Sequence, residues 1–246
     1  MWRRVLNQPA TQPGERTATA VAREALDRSR EDGAESTLQS AIDALAAVAL
    51  DHLTEDADRL AFWCNTYNAL LRHALHRLRP TGSVVTNLLL FERAVWWVGG
   101  QKLSLNDLEH GVLRRNQRPL PLWPRPFSPS DARHGLMLSH PEPRIHFALN
   151  CGAVSCPPIR AYTPEAVDRQ LELATRSYLG SMTQVDRSRG EVTLSRLLSL
   201  YARDFGTQAD AVRFTARHLD GPEAVWLQAN AESVRVRFGP YDWSFT

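Results

Sequence analysis

Seven prolines fall between Pro119 and Pro143, in a stretch of the chain no longer than a single helix–turn–helix. Proline carries no backbone N–H and clashes with the preceding helical turn, so this density excludes a regular helix or a central strand. The spacing predicts an extended surface loop over residues 117–143. Loops of that length are unusual inside a compact domain. It is read as an excursion rather than a boundary, because the segments on either side need each other to bury their apolar faces.

Before the loop, the apolar pattern is helical. Leu38, Ile42, Leu45 and Val48 recur at three- and four-residue intervals and mark one buried stripe. Thr54 followed by Glu55, Asp56 and Asp58 reads as an N-cap with an acidic first turn, opening a helix that Pro80 and Gly82 stop. On that helix Leu60, Trp63, Cys64, Tyr67, Leu71 and Ala74 share a face, with Asn65, Asn68 and Arg72 beside it. Amides so close to a buried face require hydrogen-bond partners. "AVWWVGGQKLSL" predicts a hairpin turning at Gly99 and Gly100, and "SLNDLEHGVLR" a helix burying Leu105, Leu108 and Val112.

Beyond the loop, "RIHFALN" reads as a short strand with Ile145, Phe147 and Leu149 on one side and His146, Ala148 and Asn150 on the other. A helix is expected from Thr163, a hairpin around Arg189 and Gly190, a helix "SRLLSLYARDFG" and another from Gln208 to Leu219. "AVWLQ", "VRVRF" and "YDWSF" read as terminal strands. The class is therefore α+β, a single domain with helices packed on a mainly antiparallel sheet. Residues 1–34 are expected to form a peripheral arm and 35–246 the domain.

Composition narrows the function classes. Twenty-nine basic residues against 27 acidic ones leave a formal charge of +2, and like charges never run to five, so no phosphate-backbone footprint is present and nucleic acid is not expected. Lys102 is the sole lysine, which a coding bias explains more simply than anion binding. No stretch reaches the length of a membrane span, and "MWRRVLNQPATQPGE" lacks an apolar segment after its charges. Three cysteines, Cys64, Cys151 and Cys156, argue against a disulfide framework. The expectation is a cytoplasmic protein with reduced thiols and no membrane partner; oligomeric state is not readable.

The chemistry concentrates in "HFALNCGAVSCPP". Cysteine hydrolases attack through a thiolate, which forms near neutral pH only beside a base, a cation or a helix N-terminus. His146 is the candidate base for Cys151 or Cys156. Pro157 favours the first position of a helix, which would put Cys156 at an N-cap. Strand parity points Cys151 away from His146 unless Gly152 ends the strand early. Glu109 is the candidate orienter of the histidine, with His110 as its neighbour. Asn65 and Asn68, together with His110 and Asn150, are candidates for holding substrate or an oxyanion. The bland alternative is a packed histidine, small buried thiols and a Glu109 paired with Arg114. A zinc clasp lacks a second ligand pair, and a redox pair lacks the C-x-x-C spacing. No metal and no cofactor are expected.

Together "AFWCNTYNAL", "SLNDLEHGVLR", "RIHFALNCGAVSCPPIRAYTPE" and "YDWSF" resemble the DUF547 family, in order from about residue 38 to the end. The matching positions are Trp63, Asn65, Tyr67, Asn68, Glu109, His110, Arg114, His146, Cys151, Gly152 and Pro157. The resemblance implies a papain-like or transglutaminase-like thiol hydrolase acting on a small-molecule or peptide substrate, or else thiol-related metabolism. Relatives that resemble this chain at Cys151 include some with serine at the position of Cys156, which implies that Cys151 is the essential thiol. Two features depart from the family: the position of Cys64 is usually aliphatic, and the proline-rich stretch is longer. Many bacterial members resemble exported or lipid-anchored proteins, whereas no signal segment is expected here. A histidine upstream of the cysteine also reverses the papain order. A binding module with a structural Cys/His/Glu/Asn network, or a thiol redox protein using Cys151 and Cys156, stands as the alternative.

Overall fold

The computed structural model describes residues 3–10, 14–31 and 35–245. The class is α+β. By backbone contacts the chain divides into two compact units, one of residues 1–142, 149–168 and 243–246, the other of residues 143–148 and 169–242. In place of one mainly antiparallel sheet, the described residues form two three-stranded mixed sheets, one in each unit.

The first unit is built around α3, Asp56–Leu78. Every residue from Leu60 to Leu71 is buried, so this helix is covered on all sides rather than along one stripe. α1 (Ala18–Arg30) lies on it through Val21, Ala22, Ala25 and Leu26, the last three fully enclosed, and α2 (Glu35–Ala44) contributes Leu38 and Ile42. Alanines make the close approach of α1 possible. Residues 18–30, expected at the periphery, thus supply part of this core. Glu55, not Thr54, occupies the N-cap of α3, without a side-chain cap bond. Asp56 turns outward instead, and its carboxylate accepts the backbone N–H groups of Ser139 and His140. Arg79 ends the helix in the left-handed conformation, just ahead of Pro80.

A short helix α4 (Leu90–Arg93) leads into the hairpin of β2 (Ala94–Val98) and β3 (Gln101–Ser104), joined at Gly99 and Gly100. Both glycines have positive φ, which the two-residue turn requires. β1 (Arg4–Val5) pairs with β2 in parallel, tying the beginning of the chain to this sheet. Residues 107–113, expected as an ordinary helix, form a π-helix in which the N–H groups of Arg114 and Asn116 reach back to Glu109 and Gly111. The proline-rich loop contains no strand and only a 3₁₀ turn, Ala132–Leu136. It is pinned by the buried Phe127 and Leu138 and by Arg59, which donates to the Met137 carbonyl.

The second unit contains most of α5 (Val167–Met182), β4 (Gln184–Asp186), β5 (Glu191–Leu194), α6 (Arg196–Leu200), α7 (Ala202–Phe205), α8 (Gln208–Arg217), α9 (Gly221–Asn230) and β6 (Arg235–Phe238). β5 lies between β4, antiparallel to it, and β6, parallel to it. Its core joins Leu179, Val192, Leu194, Val212 and Leu227 to an aromatic group of Phe147, Tyr178, Phe205 and Phe214. Among the described residues three expected strands do not form, and one of them, "YDWSF", makes only isolated bridges. "RIHFALN" folds as a 3₁₀ turn, Pro143–Phe147, and Ile145, His146, Phe147 and Ala148 are all buried, so no two-residue alternation exists. "AVWLQ" lies within α9, where Asp220 at the N-cap and Pro222 in the first turn start a helix despite the β-favouring side chains. α5 begins at Val167, after a turn, rather than at Thr163.

Candidate functional site

The loop around Cys151 is held by its own side chains. Three consecutive backbone N–H groups each meet a side-chain acceptor: Asn150 donates to Asn68 Oδ1 at 3.0 Å, Cys151 to Cys156 Sγ at 2.9 Å, and Gly152 to Asn150 Oδ1 at 2.6 Å. Asn150 also donates through Nδ2 to the Pro157 carbonyl at 2.9 Å, closing the loop across its base. A turn from Ala153 to Cys156 completes the reversal, with the Cys156 N–H on the Ala153 carbonyl. Gly152 sits at a φ of 86°, and a β-carbon there would lie 3.0 Å from Leu75 of α3. Glycine satisfies both the backbone and the space.

The ending "YDWSF" holds the same loop from its other side. Ser244 and Phe245 form isolated bridges with Ser83 and Ala153, and the Val154 N–H donates to the Ser244 carbonyl. These segments are distant in sequence, and their role was not visible in it. Residues 157–163 are not helical, so no helix N-terminus acts on Cys156. The Cys151 N–H donates to its sulfur. Both cysteines of the loop are partly exposed, whereas Cys64 is fully buried and burial pushes its thiol up.

Glu109 and His110 lie on the π-helix and are buried. Tyr67 donates its hydroxyl to Glu109 Oε2 at 3.2 Å, His110 Nε2 lies 3.9 Å from Glu109 Oε1, and Arg114 Nη1 lies 2.7 Å from His110 Nδ1. A guanidinium can only donate, so Nδ1 of His110 accepts and its ring hydrogen belongs on Nε2. Tyr67 and Asn68 are adjacent on α3, so one helix contacts both the Glu109–His110–Arg114 group and the cysteine loop. Asn65, on the same helix, pairs with the backbone of Tyr162 in both directions, Nδ2 to the carbonyl at 2.8 Å and Oδ1 from the N–H at 2.9 Å.

His146 belongs to the second unit. Its Nε2 meets Asp204 Oδ2 at 2.7 Å, and its ring stacks on Tyr201 at 3.7 Å between centroids. Asp204 and Tyr201 went unnoticed in the sequence. The available signal was a tyrosine and an aspartate three residues apart within "SRLLSLYARDFG", hence on one face of the expected helix. Among the described residues no three His, Cys, Asp or Glu side chains are grouped as a metal ion would need. Among them, too, no helix is long and apolar enough to cross a membrane.

A family profile described as "Protein of unknown function, DUF547" matches residues 50–179, more than half of the chain. No curated protein matches the chain, and no solved structure does.

Proposed function

We propose, from the premise that this chain belongs to the DUF547 family, that it is a thiol hydrolase acting on an amide or peptide-like bond with Cys151 as nucleophile. The observation that carries this reading is the run of three backbone N–H groups, 150 to 152, each fixed by a side-chain acceptor. A partly exposed thiol on a backbone restrained at three successive residues is preorganised for attack, which lowers the entropic part of a barrier. Position 156 supports it: the Cys156 sulfur accepts the Cys151 N–H, a role that a serine hydroxyl also fulfils, so cysteine or serine serves there equally.

In the reaction the Cys151 thiolate attacks the carbonyl carbon, and the tetrahedral intermediate expels the amine, which takes up a proton. Water then releases the acyl group from the thioester. A general base takes up the thiol proton in this reading, and the pH dependence of alkylation reports its titration.

Iodoacetamide labelling of the full chain from pH 5 to 9, read by peptide mass, tests the nucleophile. Cys151 is expected to label at pH 6.5 about tenfold faster than an ordinary thiol. An activated acyl ester is expected to leave a transient acyl adduct on Cys151 that Cys151→Ser abolishes. Slow, uniform labelling of Cys151 and Cys156 with no acyl adduct would overturn the reading in favour of a structural network.

A further inference from the structure

The two loop cysteines are close enough to react with each other. Cys156 Sγ lies 2.9 Å from the Cys151 backbone nitrogen. Because N–Cα is about 1.46 Å, that sulfur is within roughly 4.4 Å of the Cys151 Cα. In a disulfide each sulfur sits about 2.05 Å from its partner sulfur and hence only a few ångströms from the partner's Cα, so the Cys156 sulfur is already within the reach that a rotated Cys151 side chain needs. The clamp between Asn150 and Pro157 and the turn at residues 153–156 keep the two residues facing across the loop. Both residues are partly exposed, and the third cysteine, Cys64, is buried in α3 and serves as an internal control.

We infer that Cys151 and Cys156 form a reversible disulfide when the protein meets a peroxide. The first thiolate attacks a peroxide oxygen, the O–O bond breaks, and a sulfenic acid and hydroxide form. The second thiol then attacks the sulfenic sulfur, forming the S–S bond, while the S–O bond breaks and the hydroxyl leaves with the thiol proton as water. In sum two thiols and one hydrogen peroxide give one disulfide and two waters. A dithiol reductant restores the loop by exchange. The oxidised state would withdraw Cys151 from any nucleophilic chemistry, yet the inference rests on loop geometry and holds whether or not the chain is a hydrolase.

The test uses the full chain treated with a small excess of hydrogen peroxide, then alkylated and digested without reductant. A Cys151–Cys156 cross-linked peptide is expected, with loss of two hydrogens from the intact mass and full recovery in dithiothreitol. Cys64 is expected to stay reduced. Iodoacetamide labelling of Cys151 should fall by at least about tenfold on oxidation and return on reduction. Cys156→Ser keeps an acceptor for the Cys151 N–H, so a thermal melt matching the parent chain shows an intact loop, and in that variant dimedone should trap a sulfenic acid on Cys151. Cys151 and Cys156 oxidising separately to higher acids, or pairing only between molecules, would overturn the inference. A missing acyl adduct on reduced protein would count against the hydrolase reading alone.

Discussion

At the scale of single residues, one device recurs. Asn7, Asn65 and Asn116 each use both ends of the side-chain amide on the backbone of one distant residue, Trp97, Tyr162 and Phe127 respectively. An amide so placed imitates a strand partner and satisfies a donor and an acceptor that no sheet reaches. The sequence made the need legible at Asn65 and Asn68, since amides beside a buried face must be bonded, but not the partners, which lie 97 and 82 residues away. Asp204 stayed hidden for a different reason: a single carboxylate on a short helix has the same signature whether it meets solvent or a buried histidine. Asn116 also holds a φ of 64°, in the left-handed region. Asn116→Ala therefore loses two buried bonds and gains backbone strain, and urea denaturation should show a loss of about 2–4 kcal/mol. Asn65→Ala, at an ordinary helical backbone, should lose less, about 1–3 kcal/mol. Equal stability of either variant with the parent chain would show that water replaces the clamp.

Among the elements, those with a clean period and proper punctuation were legible: α3, the Gly99–Gly100 hairpin, β4 with β5, and α8. Short apolar runs were not. "IHFA" carries four buried residues in succession, a pattern shared by a buried strand and a tight turn, and Pro143 decides for the turn. "AVWLQ" shows the converse, where a helix start at Asp220 to Glu223 outweighs β-branched and aromatic propensity. The π-helix has no sequence signature at all, although such segments are frequent at functional sites. Its Gly111 explains how the proline-rich loop is seated, because a β-carbon there would lie 2.4 Å from the ring of Phe127. That ring is also covered by the Arg133 guanidinium at 4.4 Å. Gly111→Ala should destabilise the protein by about 1–3 kcal/mol through overpacking. Adding Phe127→Leu should recover part of that loss, so the double variant is less destabilised than the sum of the single ones. Strict additivity would refute the contact as the cause.

At the scale of the whole molecule, the first unit is held together by a chain of bonds that no local pattern announces. His73 of α3 receives the Trp96 indole N–H of β2 on Nδ1 and meets Gln39 of α2 through Nε2, so a single ring joins three elements. α1, placed by the sequence in a peripheral arm, completes the same core, and a chain begun at Glu35 should melt at least about 10 °C lower for want of Leu26 and its alanines. His73 also makes the stability of this unit depend on pH. Burial, assisted by Arg77 and His76 and opposed by Asp43 and Glu35, holds its pKa down at about 4, against 6.5 for an unperturbed histidine. The unfolded chain thus binds a proton between those values that the folded chain does not. The stabilisation is complete above pH 6.5, falls as the pH drops towards 4, and changes no further below that. The lowered pKa corresponds to about 3 kcal/mol across the window. His73→Gln keeps an acceptor for Trp96 and a donor for Gln39 but removes the titration. Urea midpoints measured from pH 7.5 to 4 should therefore decline more steeply for the parent chain than for the variant, by an amount corresponding to that energy. Parallel declines would mean that the titration of His73 contributes nothing to the pH dependence of folding.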